Sequence, residues 1–303
     1  MALPDQVADH PHHHHGWWWK TLLAGLAVWI ATIVVTAFTH NTNLVPTLIL
    51  LGSFLVPFCV VLFVIERVTG SISTLQLILA FFVGGILGVL GASLLEFPLQ
   101  KSFWIYGFVG LIEEFVKGVL LVIIGWRVVP KTAKQGALLG ATIGAGFAAF
   151  ESAGYAFSAA ITAQGIDLVS LLQTEALRAI LAPVGHVLWT AILGAVIFGC
   201  ARGRPRFRWS WWILLAFAAG ALLHALWDSS AEVAAFIALL LNGQAMRELQ
   251  NGFLSMSEQN SITSLATVLY IVGLVIVAAA GVVTLGLIIR HFRRQDQPAP
   301  RTP

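Results

Sequence analysis

Residues 103–126 read FWIYGFVGLIEEFVKGVLLVIIGW. As a helix, this stretch would reach roughly 36 Å, enough to cross a hydrocarbon core about 30 Å thick. Its middle nevertheless carries Glu113, Glu114 and Lys117. Each charge at mid-membrane costs about 2.5–3.5 kcal/mol on the insertion scale. Such residues persist where they face a bundle interior or a polar cavity. The stretch therefore bears on the class of the protein and on the place of its chemistry.

The rest of the chain has the same character. Of 303 residues, 58% are hydrophobic and only 10% charged, and the mean hydropathy is +0.87. A soluble domain carries about 25% charged residues. The apolar runs are continuous and about 20 residues long, unlike the ~10-residue alternating strands of a membrane β-barrel. The expected fold is an all-α polytopic bundle of about eight spans, near 21–39, 45–65, 74–96, 103–126, 136–160, 179–200, 209–230 and 266–290. The first lacks a small-residue cleavage site and reads as a retained helix. Residues 231–241 are apolar enough to prolong the seventh, and 242–264 read as the longest loop. Cys59 and Cys200 belong to apolar runs and read as packing residues, with no disulfide framework.

Basic residues orient the bundle. Lys20, Arg67, Arg127, Lys131, Lys134, the run Arg202-Gly-Arg-Pro-Arg-Phe-Arg208 and Arg290 to Arg294 fall on one set of connections. The opposite set holds Lys101, Arg178 and Arg247. By the positive-inside rule both termini are expected in the cytoplasm. The net charge of +3 and pI near 9.1 then reflect these loops, and nucleic acid is not an expected partner. Residues 1–20, with the tract His10-Pro-His-His-His-His15, read as a cytoplasmic tail; 21–290 form the bundle, with a catalytic core at about 103–230; 291–303 read as a second tail.

The mid-span ionisable residues are Glu113, Glu114, Lys117, Glu151, His186, His224 and Asp228, all on the fourth to seventh spans. Counted at 1.5 Å per residue, Glu113 and Glu151 lie about 15 Å, and His186 and His224 about 10 Å, from the outer ends of their spans. Four antiparallel helices thus bring polar residues to similar depth, which points to one shared site in the outer half. Lys117 is i+4 from Glu113 and i+3 from Glu114, within reach of either. Asp228 is i+4 from His224 and can orient its imidazole. Trp189 and Trp227 each follow a histidine by three residues, where they could wall a pocket. Gly136, Gly140 and Gly144 form a stripe suited to close helix packing. A proton- or cation-coupled transporter, or a non-catalytic membrane scaffold or sensor, would also keep such a cluster.

Three motifs narrow the choice. Glu113-Glu-Phe-Val-Lys117 has the form E-E-x-x-K, Phe147-Ala-Ala-Phe-Glu151 the form F-x-x-x-E, and His224-Ala-Leu-Trp-Asp228 the form H-x-x-x-D. In this order they resemble the PrsW family of intramembrane proteases, itself similar to the CAAX prenyl protease and bacteriocin-processing group. Lys117 in place of an arginine one residue later, and Glu151 where that group has histidine, separate the chain from the CAAX pattern. The resemblance implies peptide-bond hydrolysis in a membrane-embedded protein substrate, in an integral membrane enzyme of the bacterial cytoplasmic membrane. In the expected scheme Glu113 is the general base, Glu114 pairs with Lys117 or assists, His224 oriented by Asp228 stabilises the oxyanion, His186 does likewise, and Glu151 completes the water site. In a zinc version His186, His224 and Glu151 are the ligands.

Overall fold

The computed structural model describes residues 16–67, 72–102 and 104–295. Of the described residues, 83% are helical. In order, the helices are α1 (Trp17–Thr39), α2 (Val45–Ile65), α3 (Thr74–Glu96), α4 (Ile105–Gly125), α5 (Ala133–Ala160), α6 (Leu168–Leu181), α7 (His186–Gly199), α8 (Trp211–Asp228), α9 (Ser230–Leu241), α10 (Gly243–Gln250) and α11 (Met256–Gln295). Between α5 and α6, β1 (Ile161–Thr162) and β2 (Gly165–Ile166) form a two-stranded antiparallel hairpin. Among the described residues, seven helical stretches are long and apolar enough to cross a membrane. α4, at 21 residues, has the length of an eighth and carries Glu113, Glu114 and Lys117. The His10–His15 tract and residues 296–303 lie outside the described residues.

α5 is the central helix. Lipid is as apolar as a leucine side chain, so helices in a membrane associate through close backbone approach rather than hydrophobic exclusion. The glycine stripe provides that approach. A Cβ on Gly136, Gly140 or Gly144 would lie 2.0, 2.3 or 2.3 Å from the carbonyl oxygen of Gly194, Thr190 or His186 on α7. The opposite face of α5 meets α3, where a Cβ on Gly146 would lie 1.9 Å from the Phe81 carbonyl. α4 meets α8 in the same way, Gly110 against the Ala221 carbonyl at 2.6 Å. A buried cluster including Leu121, Leu139, Ile143, Leu193 and Phe198 fills the space between α4, α5 and α7. Thr132 opens α5 with a capping box to Gln135, and Ser73 caps α3.

The span expected at 179–200 is not continuous. α6 stops at Leu181, a 3₁₀ turn covers Ala182–Val184, and His186 is the first residue of α7. Pro183 has no N–H for the α-helical ladder, and Gly185 leaves the helical region at φ −98°, ψ −121°. Residues 168–178, read as loop, form α6 against α2 and α5. The expected 242–264 loop holds α10 and the start of α11, and the eighth span is correspondingly longer. Residues 230–241 form a separate helix, α9, rather than prolonging α8.

Candidate active site

α4 sets the base of the site. Glu113, Glu114 and Lys117 are 5%, 1% and 0% exposed. Lys117 Nζ lies 3.2 Å from Glu113 Oε2 and 2.7 Å from Glu114 Oε1, and 4.1 Å from the Phe147 ring centroid of α5. The ammonium therefore serves both carboxylates, as the i+3 and i+4 spacings allow.

The close α4–α8 approach brings His224 onto this group. Its Nε2 lies 3.6 Å from Glu113 Oε2 and 3.3 Å from Asp228 Oδ2, and its Nδ1 lies 3.3 Å from Glu114 Oε1. The α5–α7 glycine contact seats His186 opposite. Its Nε2 is 2.9 Å from Glu151 Oε2, while its Nδ1 is 2.9 Å from Lys117 Nζ and 3.8 Å from Glu113 Oε2. The two imidazole centroids are 4.9 Å apart. Trp189 stacks on His224 at 4.5 Å and meets His186 edge-on, and Trp227 packs on Trp189. All seven ionisable residues singled out in the sequence thus meet in one place, and both tryptophans wall it.

A cavity of about 620 Å³ leads to the cluster between α3, α4 and α5, lined by Glu96, Tyr106, Glu113, Glu151, Tyr155 and Asp228. A second, of about 70 Å³, lies on the α6–α7 side against Arg178, His186 and Trp227. Sequence reasoning missed several of these residues. Arg178, read as a loop cation, donates from Nη2 to Glu151 Oε2 and from Nε to Ser152 Oγ at 2.8 Å. Pro183 and Gly185 were the signal that a helix ends just before His186 and that α6 could turn Arg178 inward. Glu96, Tyr106 and Tyr155 carried no signal, being ordinary residues for the ends of spans.

The donor set suits a divalent metal. Ligand atoms of Glu113, His186 and His224 all lie within 4.8 Å of one another. Two imidazoles and a carboxylate with a free position form a hydrolytic zinc donor set. The group includes Glu113 in the place expected for Glu151, which instead holds the far nitrogen of His186, as carboxylates behind metal-bound imidazoles do. Glu114 stands similarly behind Nδ1 of His224. Glu114 Oε1 lies between Lys117 Nζ at 2.7 Å and His224 Nδ1 at 3.3 Å, while Glu114 Oε2 is buried without a hydrogen bond. Charge agrees: among the described residues, Glu113, Glu114, Glu151 and Asp228 face only Lys117 and Arg178 as permanent cations.

The arrangement can hold a water beside a peptide carbonyl, and it does so within helices that cross a membrane. No curated protein and no solved structure matches the chain at a significant level. The family model described as PrsW family intramembrane metalloprotease matches residues 46–278, from the start of α2 into α11, and contains every residue of the cluster. The chain belongs to the PrsW family of intramembrane metalloproteases and is a membrane-embedded peptidase.

Proposed function

We propose that the chain cuts single-span or membrane-tethered proteins inside the outer half of the bilayer, at the junction of α4, α5, α7 and α8. The observation that carries this reading is the Glu113–His186–His224 group at the end of a 620 Å³ cavity. Glu113, His186 Nδ1 and His224 Nε2 would hold zinc. When bound, such a metal polarises the scissile carbonyl and lowers the pKa of a water to about 7.

The remaining steps belong to the chain's own residues. Glu151 accepts from His186 Nε2–H and Glu114 faces His224 Nδ1, so each imidazole presents its other nitrogen to Glu113. Asp228 lines the cavity beside His224 Nε2, where its carboxylate can take a proton from the attacking water. Passing that proton to the leaving nitrogen gives a new amine terminus and a new carboxylate. Trp189 and Trp227 exclude bulk water from the far side. The helical architecture suits a bacterial cytoplasmic membrane rather than an outer membrane of β-barrels.

A second reading has Glu113 as general base without a metal. It is favoured by Lys117, whose ammonium lies 2.9 Å from His186 Nδ1, the nitrogen that would bind the metal. Metal analysis of protein lacking residues 1–15 separates the two, because the histidine tract would otherwise collect metal itself. One zinc per chain, lost in His224→Ala, supports the metal reading; metal-free active enzyme supports the other. Protease action itself is tested by surveying new protein N-termini in cells with wild type, Glu113→Gln or His224→Ala at equal expression. A defined set of termini missing in both variants is expected. Unchanged termini under several stress conditions would overturn the reading.

A further inference from the structure

At the opposite end of the bundle from the protease cavity lies a second large cavity, of about 560 Å³, between the end of α7, the α7–α8 connection and the last turns of α11. Its inner wall is apolar, with Leu287 and Ile288 of α11 facing Val196 of α7. Its rim carries Arg202, Arg208, Trp209 and Trp212. No Asp or Glu lines it, and among the described residues neither arginine has an ion-pair partner. Arg204 and Arg206 lie in the same connection. The connection is fixed in place. Gly203 N–H donates to the Lys131 carbonyl at 2.9 Å, and Arg202 and Gly203 take positive φ of 52° and 73°. α11 is held against α7 where Phe292 packs on Gly199.

An apolar slot at membrane depth, rimmed by unpaired guanidinium groups and by tryptophans that favour the headgroup region, has the chemistry of a phospholipid site. We infer that this cavity binds one anionic glycerophospholipid, its phosphate on Arg202 and Arg208 and the upper part of an acyl chain along Leu287 and Ile288. Guanidinium matches a phosphate diester in geometry as well as charge. A zwitterionic lipid would bring its own ammonium among the arginines and is disfavoured. The site shares no residue with the protease cluster and does not depend on its reading.

Native mass spectrometry of the full chain tests this, with phosphatidylglycerol and phosphatidylcholine offered at equal concentration. Retention of one phosphatidylglycerol in clear preference is expected. The variant Arg202→Gln/Arg208→Gln should bind it roughly thirtyfold more weakly, from the usual attraction of two surface arginines. Arg202→Lys/Arg208→Lys should recover part of the affinity, since charge returns without the guanidinium fork, and Lys134→Gln, a cation outside the cavity, should change nothing. Both arginines are exposed, so the substitutions leave packing intact. Equal retention of the two lipids would overturn the proposal, as would indifference to the double glutamine variant. Displacement of the lipid by excess inorganic phosphate would do the same, because it would make the site one for soluble anions.

Discussion

At the residue scale, Arg178 and Lys117 pose the sharpest questions. Arg178 reaches Glu151, and Glu151 fixes His186, so the guanidinium acts on the imidazole at one remove. Arg178→Gln should lower the cleavage rate of a membrane-tethered reporter about 10–100-fold, the usual range for partners behind a metal ligand. Arg178→Lys should recover part of it, since charge returns without the second contact to Ser152. Equal loss in both variants, together with a lower unfolding midpoint, would make the residue merely structural. Lys117 is wholly buried between two carboxylates. Lys117→Met should destabilise the protein by about 3–5 kcal/mol, because it strands buried negative charge. Adding Glu114→Gln should return part of that loss in detergent unfolding, and simple additivity of the two changes would deny the pairing. The sequence showed Glu113, Lys117, His186 and His224 because an ionisable group in an apolar span is conspicuous. It hid Arg178, and hid Glu175, which α6 buries against the indole N–H of Trp29 at 3.0 Å. Both lie near span ends, where hydropathy makes a charge look like part of a loop.

At the scale of elements, two glycines of the sequence turn out to have opposite meanings. Gly136 has α7 backbone 2.0 Å from where its Cβ would be, while Gly107 of α4 has nothing within 4 Å. Gly136→Ala should force α5 and α7 apart, cost about 3 kcal/mol and reduce proteolysis, since the same stripe seats His186. Gly107→Ala should stay within about 1 kcal/mol of wild type. Unfolding of the two variants in one detergent makes the comparison, and equal stability would mean that the stripe is slack. The stripe was legible because its four-residue spacing belongs to helix packing alone. The break at residues 182–185 was not, because a 20-residue hydropathy window averages over Pro183 and Gly185 when both flanks are apolar. That break makes His186 the first residue of a helix rather than a mid-helix group, with one nitrogen toward Glu151 and the other toward Glu113.

For the whole molecule, orientation decides which proteins can be substrates. The protease cavity opens between the start of α4 and the end of α5, the end that carries the β1–β2 hairpin. The arginine-rich α7–α8 connection is bonded to the start of α5, at the other end. On the orientation we propose from the charge asymmetry, those arginines face the cytoplasm and the cavity opens toward the outer leaflet. Single cysteines check this in a Cys59→Ala/Cys200→Ser background, because Cys200 is partly exposed and would itself react. A membrane-impermeant maleimide should label Gln164→Cys on intact cells, and should label Arg204→Cys only after permeabilisation. The reverse pattern would turn the cavity toward the cytoplasm and redirect the search to proteins cut near the inner face. Agreement with the first pattern would join the charge distribution, the helix order and the placement of the cluster into one constraint: the scissile bond of a substrate must lie in the outer half of its own membrane span.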